Sequence, residues 1–373
     1  VDNVSEQAFF VLGKLETNRL VETKKYHVTV YTKTSEKTIG QSSFIVSHKI
    51  STSELKKLVE TAISSSKFIF NPTYELVEGT TKKNFKAKGF DVSSDEIFSK
   101  IINVYNGIST PNIKFNAVEV FIKTTITNLV TSKGVDYTKK TKSIGIEAIP
   151  SYDGEQKVEL YKYHTYDDFN IEKIENDAKV ALADVTARYN AVKLANVDKI
   201  DVILRSDDIK GFMWEIISNY NYQAVYTHSS PHNLGEYIED EKAKDLLTIK
   251  LDKLSKYDAF DDDGVLLNEV TVVDKGIIVN NFGNNQFASY LGVKPTGSLP
   301  LLKLNNGKKT YESLTKEPYL EIVALSGLQV ESLDHYIGGE VRLALYFDGT
   351  KEQWWNVEYA SNISTPTSIS GKL

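Results

Sequence analysis

The chain has 373 residues, 41% of them hydrophobic and 25% charged, with a net charge of −6, which is enough apolar material for a core of its own and a length that suggests two domains. It contains no cysteine, which excludes disulfides, a cysteine nucleophile and thiolate metal sites. Its Lys and Arg are dispersed, with only a small cluster at Lys139, Lys140 and Lys142, so no nucleic-acid partner is expected, and no apolar run approaches the ~20 residues of a membrane span.

The first residues, VDNVSEQAFF, have no basic segment ahead of an apolar one. They do not read as a signal peptide, and the expected compartment is the cytoplasm. Alternation predicts strands at Tyr26–Tyr31 and Ser42–His48, with a turn at Thr38-Ile39-Gly40 between them. Ser51-Thr52-Ser53-Glu54 opens a helix, with Ser51 or Ser53 as its cap and Leu55, Leu58, Val59 and Ala62 at helical spacing. Asn71-Pro72 closes that unit. A second helix is expected over Ser94–Tyr105, with Ile97, Ile101 and Ile102 on one face. Strands follow at Asn116–Thr127, Lys142–Pro150 and Val158–Tyr166. A long helix then runs from Ile171 to about Val192, with Ile174, Ala178, Ala181, Leu182 and Val185 as its buried stripe.

Leu194-Ala195-Asn196-Val197 marks the passage into a second half of different character. Asp201–Leu204 reads as a short strand, and Ser206-Asp207-Asp208 caps a helix running to about Tyr220. Beyond it, strands are expected at Leu246–Leu251, Val265–Val273, Gly276–Asn280, Leu320–Leu325, Gly327–Glu331, Val341–Phe347 and Trp354–Tyr359. Gly and Asn punctuate them, as at Asp263-Gly264 and Lys275-Gly276. The fold class is therefore α+β: residues 1–195 form an α+β domain, and residues 196–373 a mostly β, barrel-like domain.

The chemistry-bearing motifs are few. The six histidines are His27, His48, His164, His228, His232 and His335. HExxH, HExxxH, GxSxG, a P-loop and GxGxxG are all absent. His228 and His232 are four apart, a ligand spacing on a helix, but Pro231 between them argues for a polar loop. In Asp261-Asp262-Asp263-Gly264, taking Gly264 as the sixth position of a calcium loop puts Ala259 first and Val270 twelfth. Neither offers a carboxylate, so the run reads as an acidic turn. Trp354-Trp355 reads as core.

Taken in order, several segments resemble the TldD/PmbA family, also called modulators of DNA gyrase. They are Ser132-Lys133-Gly134-Val135-Asp136; the helix with Ala178, Ala181, Leu182 and Ala183 leading into Val202-Ile203-Leu204; and Asp261-Asp262-Asp263-Gly264-Val265 with Glu269-Val270-Thr271-Val272-Val273, Gly276 and Asn280-Asn281-Phe282. Ala288 with Leu291-Gly292-Val293-Lys294-Pro295-Thr296-Gly297, and Leu325-Ser326-Gly327-Leu328-Gln329-Val330, complete the set. The resemblance implies an α+β first domain and a β-rich second domain enclosing a cavity. In active members an H-E-x-x-x-H helix holds zinc through its two His while the Glu polarises water, and a late Cys is a further ligand.

Here the corresponding stretch is Trp214-Glu215-Ile216-Ile217-Ser218-Asn219. Trp214 aligns with the first His, Glu215 with the Glu and Asn219 with the second His. An indole nitrogen carries its hydrogen and has no in-plane lone pair to donate, and a carboxamide oxygen is a poor zinc ligand. The resemblance thus places the chain with the PmbA (TldE-like) branch, which lacks the metal motif, and no resident cofactor is expected. It implies a homodimer, or a heterodimer with a TldD-like HExxxH paralogue, and a peptide substrate held in a shared chamber. Two alternatives stay open. One is an active metal-dependent peptidase using His228, His232, Glu236 and Asp261–Asp263 as ligands. The other is a non-enzymatic protein, either one that binds peptides acting alone or a binding or structural protein unrelated to peptides.

Overall fold

The computed structural model describes residues 1–85, 89–193, 200–243, 245–331 and 336–356. Along the first half run β1 (Asp2–Val11), β2 (Lys14–Lys33), β3 (Thr38–Ser47), α1 (Thr52–Ser66), β4 (Asn71–Pro72), β5 (Lys82–Phe85), α2 (Ser94–Ile108), β6 (Ile113–Val130), β7 (Asp136–Asp153), β8 (Lys157–Glu159), β9 (Lys162–Tyr166) and α3 (Ile171–Tyr189). The strands make one nine-stranded sheet in the order β4-β3-β2-β1-β6-β7-β5, with β8 and β9 both paired to β7. Alternation along β6 and β7 sends Val118, Val120, Ile122, Ile144 and Ile146 to one face. Ile97, Ile101 and Tyr105 of α2 and Ile174, Ala178 and Ala181 of α3 cover it, all nearly inaccessible. Each fully buried Ile in that layer contributes about 1.5–3 kcal/mol. Ser51 caps α1 in a reciprocal capping box with Glu54, and Ser93 caps α2.

Several sequence readings need correction. Thr38-Ile39-Gly40 begins β3 instead of turning. The turn lies just before it, at residues 34–37. Gly40 is there for close packing, since a Cβ would sit 1.7 Å from the Ser66 carbonyl oxygen. β1 and the first half of β2 escaped the strand pattern because charged and small residues interrupt it. Val158–Tyr166 is two strands split at Leu160-Tyr161, and the long helix ends at Tyr189, where Asn190 is its C-cap.

The second half contains β10 (Val192–Lys193), β11 (Asp201–Leu204), α4 (Ser206–Ser218), α5 (Tyr222–Tyr226), β12 (Ile249–Asp252), β13 (Val270–Asp274), β14 (Ile277–Ile278), α6 (Asn285–Leu291), β15 (Leu301–Leu304), α7 (Tyr311–Leu314), β16 (Tyr319–Glu331), β17 (Tyr336–Phe347) and β18 (Glu352–Asn356). Two open sheets result, ordered β10-β18-β17-β16-β11 and β14-β13-β12-β15. The α+β class holds, but the barrel-like expectation does not. Neither sheet closes on itself among the described residues, and the strands of the smaller one, only two to five residues long, cannot wrap a cylinder.

Leu320–Leu325 and Gly327–Glu331 are one strand, β16. Val265–Val273 is a strand only from Val270. Val265 and Leu267 are buried from a loop instead. The helices α5, α6 and α7 were not foreseen. Residues 194–199, where the passage between domains was placed, and residues 357–359 of the last expected strand lie outside the described residues. Among the described residues no helix is long and apolar enough to cross a membrane.

The two halves are bolted together. Phe260, from the second half, packs with Val135, Tyr137 and Phe85 of the first. Lys139 donates to the Phe260 carbonyl at 2.6 Å and pairs with Asp258 at 3.2 Å. Asn285 donates to the Glu75 carbonyl and Tyr290 to that of Pro72, each at 2.8 Å.

Candidate functional site

Helix α4 organises the site. Phe212, Met213 and Ile217 are its buried stripe, continued by Tyr220 just past its end, and they pack in one cluster with Ile249, Leu251 and Val272 of the smaller sheet. The stripe sets where the predicted triad points. Trp214 is half-buried at its border, with its ring 6.3 Å from that of Phe282. Glu215 is exposed, facing away from the core. Asn219 is the C-cap of α4, and its amide nitrogen donates to the carbonyls of Glu215 at 2.9 Å and Ile216 at 3.3 Å. An imidazole at that place would be replaced here by a group occupied with the helix's own end.

The Ser206-Asp207-Asp208 cap is corrected as well. Those residues form the first turn, and the N-cap is Arg205, without a side-chain cap hydrogen bond. What fixes this end is ionic. Arg205 pairs with Glu321 of β16 at 3.0 Å and Asp184 of α3 at 3.5 Å. Asp184 in turn pairs with Lys162 of β9 at 2.7 Å. Tyr311 donates to the other oxygen of Glu321 at 2.6 Å. The side chains of Asp184 and Glu321 are only 6% and 8% exposed. The sequence reading missed this network. Its signal was a carboxylate inside an apolar stripe, twice: Asp184 beside Ala181, Leu182 and Val185, and Glu321 inside Tyr319-Leu320-Glu321-Ile322-Val323.

Beside Trp214 opens a cavity of about 270 Å³. Trp214, Tyr222, Phe282 and Phe287 supply aromatic surface, Leu299 and Pro300 aliphatic surface, and none of the described lining residues carries a charge. Tyr222 is held by its backbone N–H on the Phe282 carbonyl, at 2.7 Å, and by its hydroxyl on that of Lys294, at 3.0 Å. The far wall, Gly297-Ser298, is pinned from behind by Asp261. One carboxylate oxygen accepts from the N–H groups of Asp263 and Val265, and the other accepts from Ser298. Gly297 has φ +79°, and a Cβ there would lie 2.4 Å from Leu267. Glycine is what lets this wall lie so close to its support. Burial raises the Asp261 carboxyl to about 6, against the lowering effect of those hydrogen bonds, and the neighbouring Asp263 charge adds to the rise. Asp263, also lifted chiefly by burial, accepts from the N–H of Asn285. The acidic run is thus an inward-turned structural loop, with Asp262 alone exposed.

His228 is exposed, just past α5, in a left-handed conformation with φ +57°. His232 is half-buried, its Nδ1 hydrogen-bonded at 2.9 Å to Tyr220. Glu236 turns back on Asn233, whose backbone and side-chain N–H groups hold its carboxyl below the usual range. Among the described residues no three His, Asp or Glu side chains are grouped to hold a metal. Trp214, Asn219 and Glu215 do not fit zinc either: an indole, a carboxamide spent on backbone and an outward carboxylate make no ligand set. Trp355 is core, stacked on Tyr346 at 3.9 Å. Trp354 packs near Ala187, Val323 and Leu343.

Comparison with known proteins follows the same lines. Residues 197–365 match the family model for the PmbA/TldA metallopeptidase C-terminal domain. The whole fold is similar to that of TldE from Thermococcus kodakarensis, with a TM-score of 0.75 and 15% identity over 94% of this chain and 84% of that one. It is also similar to proteins described as candidate modulators of DNA gyrase. One, from Thermotoga maritima, gives a TM-score of 0.73 and 16% identity over 98% and 86% of the two chains. Another, from Bacteroides thetaiotaomicron, gives 0.68 and 16% over 95% and 83%. At these identities the likeness is one of fold. No curated protein matches.

Proposed function

We propose that this chain, which belongs to the TldD/PmbA family, is a non-catalytic, peptide-binding subunit that forms a processing chamber with an HExxxH-bearing, TldD-like partner. The observation that carries this reading is the state of α4. Where the family resemblance puts two zinc-binding imidazoles, Trp214 lines a cavity and the amide of Asn219 caps the helix. Glu215, at the position of the water-polarising Glu, points to solvent, and among the described residues no group of metal-ligating side chains forms beside it. A carboxylate so placed has nothing to activate. The metal and the bond-breaking chemistry then belong to the partner, and this chain contributes wall and grip. The TldE relative supports the same assignment at the level of fold.

The test is co-expression with an HExxxH-bearing member of the family from the same genome. The two chains are expected to co-purify, and cleavage of an unfolded peptide is expected only from the pair. Chelator-sensitive cleavage by this chain alone, with stoichiometric zinc in the purified protein, would overturn the proposal.

A further inference from the structure

The geometry points to the cavity beside Trp214 as a pocket for one uncharged aromatic side chain of a bound peptide, a specificity element that rests on the peptide-binding reading above. Its size sets the first limit. At about 270 Å³ it exceeds the ~150 Å³ that accepts a benzene ring and falls short of a docked helix. Its surface sets the second. Trp214, Tyr222, Phe282 and Phe287 offer ring faces and edges to an aromatic guest. A charged guest would leave water for a lining whose described residues hold no counter-charge, which is strongly unfavourable. Asp261, the carboxylate behind the wall, is already committed to three backbone N–H groups and faces away from service to a ligand.

The polar groups set the third limit. Both ends of the Asn221 amide are spent, its oxygen on the N–H of Ala224 at 2.8 Å and its nitrogen on the carbonyl of Ser218 at 2.7 Å. Asn284 uses its oxygen to cap α6, leaving its NH₂ group. Gln223 is exposed and its amide keeps both functions. A donor on Asn284 with a donor and an acceptor on Gln223 match the C=O and N–H of a neutral peptide group flanking the buried ring.

Isothermal titration of the full-length isolated chain with N-acetylphenylalaninamide, N-acetylaspartamide carrying a free side-chain carboxylate, and N-acetyllysinamide tests this. The aromatic probe is expected to bind with a dissociation constant on the order of 1 mM and the two charged probes at least tenfold more weakly. Ser298→Trp, which fills the cavity while keeping the backbone N–H held by Asp261, is expected to lose the aromatic probe by tenfold or more. Gln223→Lys, at an exposed side chain, is expected to draw the acidic probe to within about threefold of the aromatic one. Equal binding of all three probes, no binding of any, or undiminished binding in a folded Ser298→Trp protein would each overturn the pocket. If Ser298→Trp does not fold, the Gln223→Lys result decides alone: no change in preference overturns it. Since no partner is present, failure here leaves the subunit reading standing, and failure of co-purification leaves the pocket standing.

Discussion

The two ends of α4 solve opposite problems. At its start, Arg205 sits between Glu321 and Asp184, with Lys162 and Tyr311 completing a cluster around two buried carboxylates that ties α3, β9 and β16 to one point. At its far end Trp214 and Asn219 stand where charge or metal would be expected from the resemblance, and none of the described residues lining the neighbouring cavity is charged. The first end is built to be immovable, because a buried charge deprived of its partner is severely penalised. The second is built to be occupied, because uncharged concave surface gains most from covering with apolar matter. The helix is one rigid rod anchored by ions at one end and offered to a guest at the other.

The sharpest way to break that contrast is Asp184→Asn. It leaves Lys162 and Arg205 without their shared carboxylate and is expected to cost about 3–5 kcal/mol, read as a lowered midpoint in urea unfolding. A loss below 1 kcal/mol would mean that the ionic end is solvated in solution. Asp261→Asn probes the support of the cavity wall. The folded carboxyl sits at about 6, above the 3.8 of an ordinary Asp. Between those values the folded state holds a proton that the unfolded chain has lost. The stability this group contributes is therefore fully present below pH 3.8 and disappears as pH rises through 6. Relative to Asp261→Asn, the native chain is expected to gain up to about 3 kcal/mol on acidification from pH 7.5 toward 4. Asp263 is also lifted, and its charge adds to the Asp261 shift, so the difference reports the coupled pair, with Asp261 as its larger part. Parallel stability–pH curves would place Asp261 in water.

Trp214→Ala removes a half-buried ring and is expected to cost about 2 kcal/mol, less than the 3–5 of a fully enclosed aromatic, together with binding of the aromatic probe. Glu215→Gln is the smallest effect, within about 0.5 kcal/mol and without change in pair-dependent cleavage. A large loss of cleavage from this one substitution would return Glu215 to the chemistry.

The sequence was readable where physics is local. Alternation along β6 and β7 and the spacing of Ile97 with Ile101, or Ile174 with Ala178, mark the N-terminal core directly. Ser51 with Glu54 announces its cap. The expected replacement of two imidazoles by Trp214 and Asn219 rests on the resemblance and on which atoms a side chain carries. What stayed hidden depends on meetings across the chain. Asp184 and Glu321 are 137 positions apart, and nothing local says that Arg205 stands between them. Val265 and Leu267 look like strand because they are apolar and β-prone, yet they bury themselves from a loop that Asp261 holds together. The cavity is assembled from α4, α5, the loop before α6, α6 itself and the segment before β15, and no single stretch reveals it. The barrel expectation failed for a related reason: strand count is legible, closure is not.

One small element has a practical bearing on how the chain can be divided. β10, only Val192–Lys193, follows α3 in sequence but pairs in parallel with Trp355-Asn356 of β18. It is the outermost rail of the five-stranded sheet. A fragment starting after it would present the naked backbone of β18 as a template for another chain. Such a C-terminal half is expected to self-associate on gel filtration, and a fragment that keeps α3 and β10 to run as a single species.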